Sequence, residues 1–185
     1  EAVIDGIVNL SDYRVVDLIL GVEKQGGDGS LLHYNAPYKT FPAGLQEKLR
    51  AYCHGGGNLF VSGAFIASDM QGCDADKQFI RDLLHFDYGG SVTELSDNLI
   101  SGSGLNLSIC RSVNPECYAV SRPDILKPLD EAFVSFIFDG CKESAGVAYA
   151  GKGYRTLSIS FPFESVQNST QRAKLMGAVM RFLLK

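Results

Sequence analysis

The stretch from Gly55 to Asp69 constrains this chain more than any other. Gly55-Gly56-Gly57 reads as the end of a helix, Asn58-Leu59-Phe60-Val61-Ser62-Gly63 as a buried strand, and Ala64 stands at the turn where many α/β enzymes carry a nucleophile. A strand this apolar, feeding a glycine-containing turn, marks the carboxyl edge of a parallel sheet, where open α/β folds place ligands. Alanine cannot attack a substrate. The stretch therefore predicts a fold while withholding a reaction.

Short β-branched runs alternate with amphipathic helices along the chain, the pattern of a parallel or mostly parallel α/β sheet. Val15 to Gly21 is nearly continuous apolar sequence, which predicts a central strand covered on both faces. Thr40 is placed to cap a helix ahead of Pro42, and Leu45, Leu49 and Tyr52 recur at helical spacing up to Gly55. The strand at Asn58 then completes a strand-helix-strand unit beside the strand at Val15. A second helix starts at Asp74 or Asp76 with Phe79, Ile80, Leu83 and Leu84 on its apolar face, and His85 falls at its last turn. Gly89 to Arg122 reads as a loop-rich insertion with minor strands around Val92, Leu107 and Tyr118. Phe133 to Phe138, Ala145 to Ala150 and Arg155 to Phe161 read as strands, the last two joined tightly enough at Lys152-Gly153 for an antiparallel hairpin. Asn168 or Ser169 caps a last helix on which Arg172, Met176, Val179, Met180 and Leu183 share a face.

Composition narrows the function classes. The 185 residues suit one domain, and 45% hydrophobic with 21% charged residues is ordinary globular usage. Seventeen basic and 21 acidic residues are interspersed and give a net charge of -4, so no basic stripe exists to neutralise phosphates and nucleic acid is not an expected partner. No apolar run approaches the roughly 20 residues that span a bilayer. The five cysteines, Cys53, Cys73, Cys110, Cys117 and Cys141, fit no zinc spacing. Cys53 and Cys141 read as small buried hydrophobes, while Cys110 and Cys117 could close a small disulfide in an oxidising compartment. No metal and no cofactor is expected.

Four segments in order carry a family resemblance: Tyr13 to Gly21, Leu45 to Tyr52 leading into Gly55 to Gly63, Phe79 to His85, and Phe161-Pro162-Phe163-Glu164. Together, over roughly Asp12 to Leu184, they resemble the class I glutamine amidotransferase-like domains of secreted bacterial multidomain proteins, such as the xanthan lyase-like proteins of Bacteroides relatives. The resemblance implies an α/β, flavodoxin-like three-layer α/β/α fold with a mostly parallel sheet. It implies one domain over 1–185 that lacks the family's first strand and helix. The slot beside the strand at Val15 would then be filled by a preceding fragment, by another chain, or by Ala2 to Val8. It also implies a secreted, cell-surface or periplasmic location. A working amidotransferase carries a cysteine where this chain has Ala64, and a late His-x-Glu pair, whereas no histidine here follows His85. Without a thiolate and its base, glutaminase chemistry has no nucleophile.

Other residues at the same edge are candidates for binding. Glu23 and Lys24 leave the strand at Val15 where Ser62 and Ala64 end the next one, and Asp69 follows, so these five residues would line any crevice there. Ser62 lacks the Gly-x-Ser-x-Gly elbow of a serine nucleophile, with Phe60 and Ala64 at the glycine positions. His33, His54 and His85 are scattered, and helix-end or surface roles are their default. Asp69, Asp74 and Asp76 resemble half a calcium loop without its glycine and distal glutamate.

Two functions follow. The first is a non-catalytic accessory domain that packs against other modules of the same protein or another chain, in polysaccharide or cell-wall processing, with saccharide as a further partner. The second is a hydrolase or lyase acting on saccharide or peptide through carboxylates such as Glu23 and Asp69. Carboxyl groups about 5–10 Å apart in an open pocket would favour the second; a crevice filled by Phe65 would favour the first.

Overall fold

The computed structural model describes residues 1–26, 38–93, 98–110, 119–120 and 122–185. Nine strands, β1 (Val15–Gly21), β2 (Asn58–Gly63), β3 (Phe86–Ser91), β4 (Leu99–Gly102), β5 (Leu105–Ser108), β6 (Asp124–Pro128), β7 (Phe133–Phe138), β8 (Glu143–Ala150) and β9 (Arg155–Ile159), occur among them with three α-helices. The helices are α1 (Ala43–His54), α2 (Asp74–Leu83) and α3 (Ser169–Leu183). Seven strands form one sheet in the order β1-β2-β9-β8-β7-β4-β5, and β3 pairs with β6 in a separate ribbon.

The sheet is mixed, which corrects the mostly parallel, flavodoxin-like three-layer expectation. Its first two pairings, β1 with β2 and β2 with β9, are parallel, and the remaining four are antiparallel. Connection length is the physical reason, because a parallel crossover needs a dozen or more residues. Only Asp139 to Lys142 separate β7 from β8, and only Gly151 to Tyr154 separate β8 from β9. Between β4 and β5 lie Ser103 and Gly104, with φ of 50° and 73°, the positive-φ pair that a two-residue hairpin turn requires.

Two hydrophobic clusters meet at β2. Leu59 and Val61 join Leu20, Leu49, Phe79, Ile80 and Leu83 from β1, α1 and α2, while Phe60, between them, joins Leu157, Ile159, Leu175, Val179 and Leu183 from β9 and α3. Alternation of side chains across a strand thus feeds both cores from three consecutive residues. β1 is not the central strand that its apolar run suggested. It ends the sheet, and Ile19 is 51% exposed. Ala2 to Val8 does not pair with it but coils into turns, with Val8 N–H donating to Ala2 O.

The ends of the elements follow local chemistry. Asn168 caps α3 by accepting from Thr170 N–H and Gln171 N–H, and Leu175, Val179 and Leu183 form its buried stripe. Pro42, not Thr40, stands at the N-cap position of α1, which has no side-chain cap bond. After α1, only Gly56 of the three glycines is left-handed, at φ 94°. Gly57 serves a different need: a Cβ there would lie 2.2 Å from the ring of Tyr52. That ring must sit close because the Tyr52 hydroxyl lies 3.2 Å from Tyr13 O and 3.1 Å from Asn58 O, at the starts of β1 and β2. The predicted strand near Tyr118 lies outside the described residues. Cys53 is buried, with burial pushing its thiol up to about 12, whereas Cys141 is exposed. Cys110 is disulfide-bonded, and Cys117 lies outside the described residues.

Gly57→Ala is expected to destabilise the fold by about 1–3 kcal/mol, the range for an overpacked site. Gly72→Ala, where a Cβ meets nothing within 4 Å at φ -67°, is expected to be neutral or to gain about 0.4–1 kcal/mol through the unfolded state. Urea denaturation of both variants checks the contrast.

Candidate functional site

The carboxyl ends of β1 and β2 gather all five residues singled out at this edge. Glu23 and Lys24 follow β1, Ser62 lies in β2, and Ala64 follows it. Asp69 lies in the short 3-10 turn from Ser68 to Gln71.

Ala64 is sealed in. Its N–H donates to Gly21 O at 2.8 Å, and its carbonyl accepts from Asp124 N–H at 2.9 Å. Ala64 and Phe65 are buried in a small cluster with Val120, against which Val22 packs. Lys24 extends over the Phe65 ring, its ammonium 5.1 Å from the centroid, so its charge sits on an aromatic face. Immediately before the turn, a Cβ on Gly63 would lie 2.9 Å from Leu20 Cβ and 3.0 Å from Ile66 Cγ2. The corner where a nucleophile would stand is packed solid.

The carboxylates at this edge hold backbone rather than an open pocket. Asp69 Oδ1 accepts from Gln25 N–H at 2.9 Å, and Oδ2 accepts from Thr40 N–H at 2.8 Å and Thr40 Oγ1 at 3.0 Å. Thr40 is thereby committed to Asp69, which explains why it does not cap α1. Glu23 is exposed; partial burial of its carboxyl, then the nearby Asp69 charge, raise its pKa above the ordinary value. Ser62 is buried, and its hydroxyl has no hydrogen-bond partner among the described residues. Among the described residues no base lies within hydrogen-bond reach of it.

Asp124, the first residue of β6, completes this edge and was not anticipated. Its Oδ2 accepts from Ala67 N–H at 2.9 Å and Ser68 N–H at 2.7 Å. Burial pushes its carboxyl up to about 6, against the lowering effect of those two backbone bonds. The sequence signal was slight: one aspartate after Pro123, beyond a loop-rich insertion that periodicity could not place.

The remaining candidates lie elsewhere. Asp76 accepts from Lys39, from Gln46 Nε2 at 2.8 Å and from Cys73 Sγ at 3.1 Å, and Asp74 pairs with Lys77, so neither joins Asp69 in a cation site. Among the described residues no group of three or more His, Cys, Asp or Glu could hold a metal ion. His85, at φ 57°, ends the turn after α2, stacks on Tyr149 at 3.5 Å and places Nε2 3.0 Å from the Tyr154 hydroxyl. That is the amino end of β9, remote in the topology from Ala64. His54 is exposed, and His33 lies outside the described residues.

No protein-family model and no curated protein matches the sequence. Solved structures do share the fold. A GH42 β-galactosidase of G. stearothermophilus matches with TM-score 0.56 at 12% identity, over 95% of this chain and 22% of its own. A β-galactosidase of the Antarctic haloarchaeon Halorubrum lacusprofundi gives 0.56 at 12%, over 95% and 23%. An exo-β-1,4-mannosidase of Opitutaceae bacterium strain TAV5 gives 0.57 at 9%, over 95% and 26%. A cytoplasmic protein of Salmonella typhimurium gives 0.51 at 15%, over 97% and 74%. This chain thus spans about a quarter of the length of the glycosidases it resembles.

These neighbours overturn the amidotransferase resemblance, and nothing links the chain to xanthan lyase-like proteins or to Bacteroides. The four segments that carried the resemblance are core patterns: an apolar strand, a glycine turn and two amphipathic faces. A mixed sheet with one parallel strand-helix-strand unit demands the same patterns. Among the described residues no helix is long and apolar enough to cross a membrane.

The raised carboxyl of Asp124 sets a pH dependence. Because the folded state binds its proton more tightly than the unfolded chain, the group's stabilising contribution is fully present below about pH 4. It is lost as pH rises through about 6, a span worth about 3 kcal/mol. The stability difference between wild type and Asp124→Asn, from denaturation at a series of pH values, is therefore expected to grow in favour of wild type as pH falls from 7 to 4. A difference that shrinks over that range would show the two backbone bonds outweighing burial.

Proposed function

We propose that this chain is a non-catalytic interaction domain of a glycan-processing protein, and that it docks through the open edge of β1. The observation that carries the reading is that edge. In a parallel ladder the peptide groups of successive residues point to alternate sides, and Arg14 O accepts from Asn58 N–H on the β2 side. The peptide groups of Val15, Asp17 and Ile19 therefore face away from β2, where no described residue pairs with them. An edge strand with apolar, solvent-facing side chains is a template for another strand.

The face of β1 supports the same reading. Ile19 is half-exposed and Asp17 is solvent-accessible. The Asp17 carboxyl is nevertheless pushed up to about 6 by partial burial and by Glu164, so an incoming strand with a lysine or arginine beside it would be favoured. The occupant is a segment of another module of the same protein or of a partner chain. A compartment outside the cytoplasm suits the disulfide at Cys110.

The glycosidase names among the fold neighbours favour a second reading, hydrolysis of saccharide through Glu23 and Asp69. Against it, both Asp69 oxygens already accept hydrogen bonds from Gln25 and Thr40, and Ala64 and Phe65 fill the neighbouring corner.

The two readings separate in one set of measurements. The chain is expected to release no nitrophenol from nitrophenyl β-galactosides or β-mannosides. It is expected to self-associate at high concentration in sedimentation runs, and Ile19→Lys is expected to abolish that association with the melting temperature unchanged. Turnover that disappears in Glu23→Gln or Asp69→Asn would establish the hydrolase. An Ile19→Lys variant that associates as before would remove β1 as the docking edge.

A further inference from the structure

Three adjoining hollows follow one another across the amino ends of β1, β2 and β9. The first, of about 480 Å³, lies between the N-terminal turns and α1 and is lined by Lys48. The second, of about 310 Å³, shares Ser11, Ala51 and Tyr52 with the first and adds Tyr13 and Arg14. The third, of about 260 Å³, meets the second at Arg14, Gly56 and Asn58 and adds Lys152 and Arg155. Four cations thus reach one groove from α1, from the starts of β1 and β9, and from the turn between β8 and β9. Among the described residues no aspartate or glutamate lines it. Lys185 also reaches the third hollow, but its main-chain carboxylate offsets its ammonium.

Stability does not account for this grouping. The chain has 21 acidic residues against 17 basic ones, yet among the described residues none of Arg14, Lys48, Lys152 and Arg155 forms an ion pair. Like charges gathered without counter-charges repel one another. Helix C-termini attract cations, but the last carbonyls of α1 are taken by its own glycines. Gly55, Gly56 and Gly57 N–H donate to Ala51, Cys53 and Tyr52 O at 3.0, 2.9 and 3.0 Å. Groups that read hydroxyls stand among the cations. Asn58 Oδ1 is held by Arg155 N–H at 2.8 Å, which fixes the side-chain amide and leaves its NH2 without a partner among the described residues. Tyr13, beside Arg14, is 55% exposed and offers a flat apolar ring with a polar tip.

We propose that this groove binds a short oligosaccharide carrying carboxylates or sulfates. Its acid groups face Arg14, Lys152 and Arg155, whose guanidinium forks can take such a group by two parallel bonds, and its hydroxyls face the Asn58 NH2. Three adjoining hollows extend beyond a single sugar ring. The net charge of -4 repels a long polyanion beyond the groove, which favours a short one. The choice of a saccharide rests on the reading of the chain as part of a glycan-processing protein, whereas the negative charge of the ligand rests on the groove alone.

Calorimetric titration of wild type and of Ile19→Lys with trigalacturonate, sulfated maltotriose, maltotriose and inorganic tripolyphosphate tests the proposal. Saturable binding of an acidic sugar is expected in both proteins, and the tighter of the two names the acid group. Maltotriose and tripolyphosphate are each expected to bind about tenfold more weakly or worse. Arg14→Gln, Lys152→Gln and Arg155→Gln should each weaken the acidic sugar about tenfold, one charge-assisted bond's worth. Lys127→Gln, which removes a cation on β6 outside the groove, should leave binding unchanged. Arg155 lies over the Phe182 ring at 5.5 Å; if Arg155→Gln does not fold, the other two variants decide. The proposal is overturned if neither acidic sugar binds saturably, if maltotriose or tripolyphosphate binds as tightly, or if Arg14→Gln and Lys152→Gln bind as wild type does. Ile19 lies outside the groove, so failure of the β1 docking reading leaves these titrations unchanged, and failure here leaves the sedimentation result unchanged.

Discussion

The double burial of β2 is the constraint on which the rest of the structure depends. Leu59 and Val61 enter the core under α1 and α2, and Phe60 enters the core under α3. Both of its edges are paired, to β1 and to β9. Its start is tied down as well, since Asn58 accepts from Arg155 N–H through Oδ1 at 2.8 Å and lies against the Tyr52 hydroxyl. A strand held on two faces, two edges and its first residue delivers Ala64 to a fixed place.

What stands at that place is a joint. The Ala64 amide bonds to the end of β1 and its carbonyl to the start of β6, while Asp69 and Asp124 turn their oxygens inward onto backbone N–H groups. Buried carboxylates used in this way satisfy loop amides that have no ladder to join. The same commitment removes them from chemistry, because a carboxylate already accepting two or three hydrogen bonds has little capacity left for a substrate. With the strand ends committed in this way, the docking proposed above falls on a surface the fold leaves unpaired, the outer edge of β1.

Much of the fold was legible where local signals were strong. The bounds of β2, the end of α1 at the glycines and the Asn168 cap follow directly from side-chain chemistry. The sheet's mixed character was also written in the connections, four residues between β7 and β8 and four between β8 and β9, but the strand-helix-strand alternation of the first half pulled the reading toward a parallel sheet. The place of β1 was not legible at all. A run such as Val15 to Leu20 reports how much apolar surface a strand offers, not whether a neighbour covers it. The edge residues Glu23, Lys24, Ser62, Ala64 and Asp69 were found together because strand ends of a parallel unit converge. Asp124 was missed because it comes from β6, brought in by the insertion, where no periodicity predicts position.

Residue-resolved amide hydrogen exchange, at a concentration where the chain is monomeric, tests the central account most directly. The closed joint predicts strong protection at Ala64, Ala67 and Ser68, with rapid exchange at Val15, Asp17 and Ile19 on the open edge of β1. Protection of those three β1 amides equal to that of β2, or rapid exchange at Ala67 and Ser68, would contradict it.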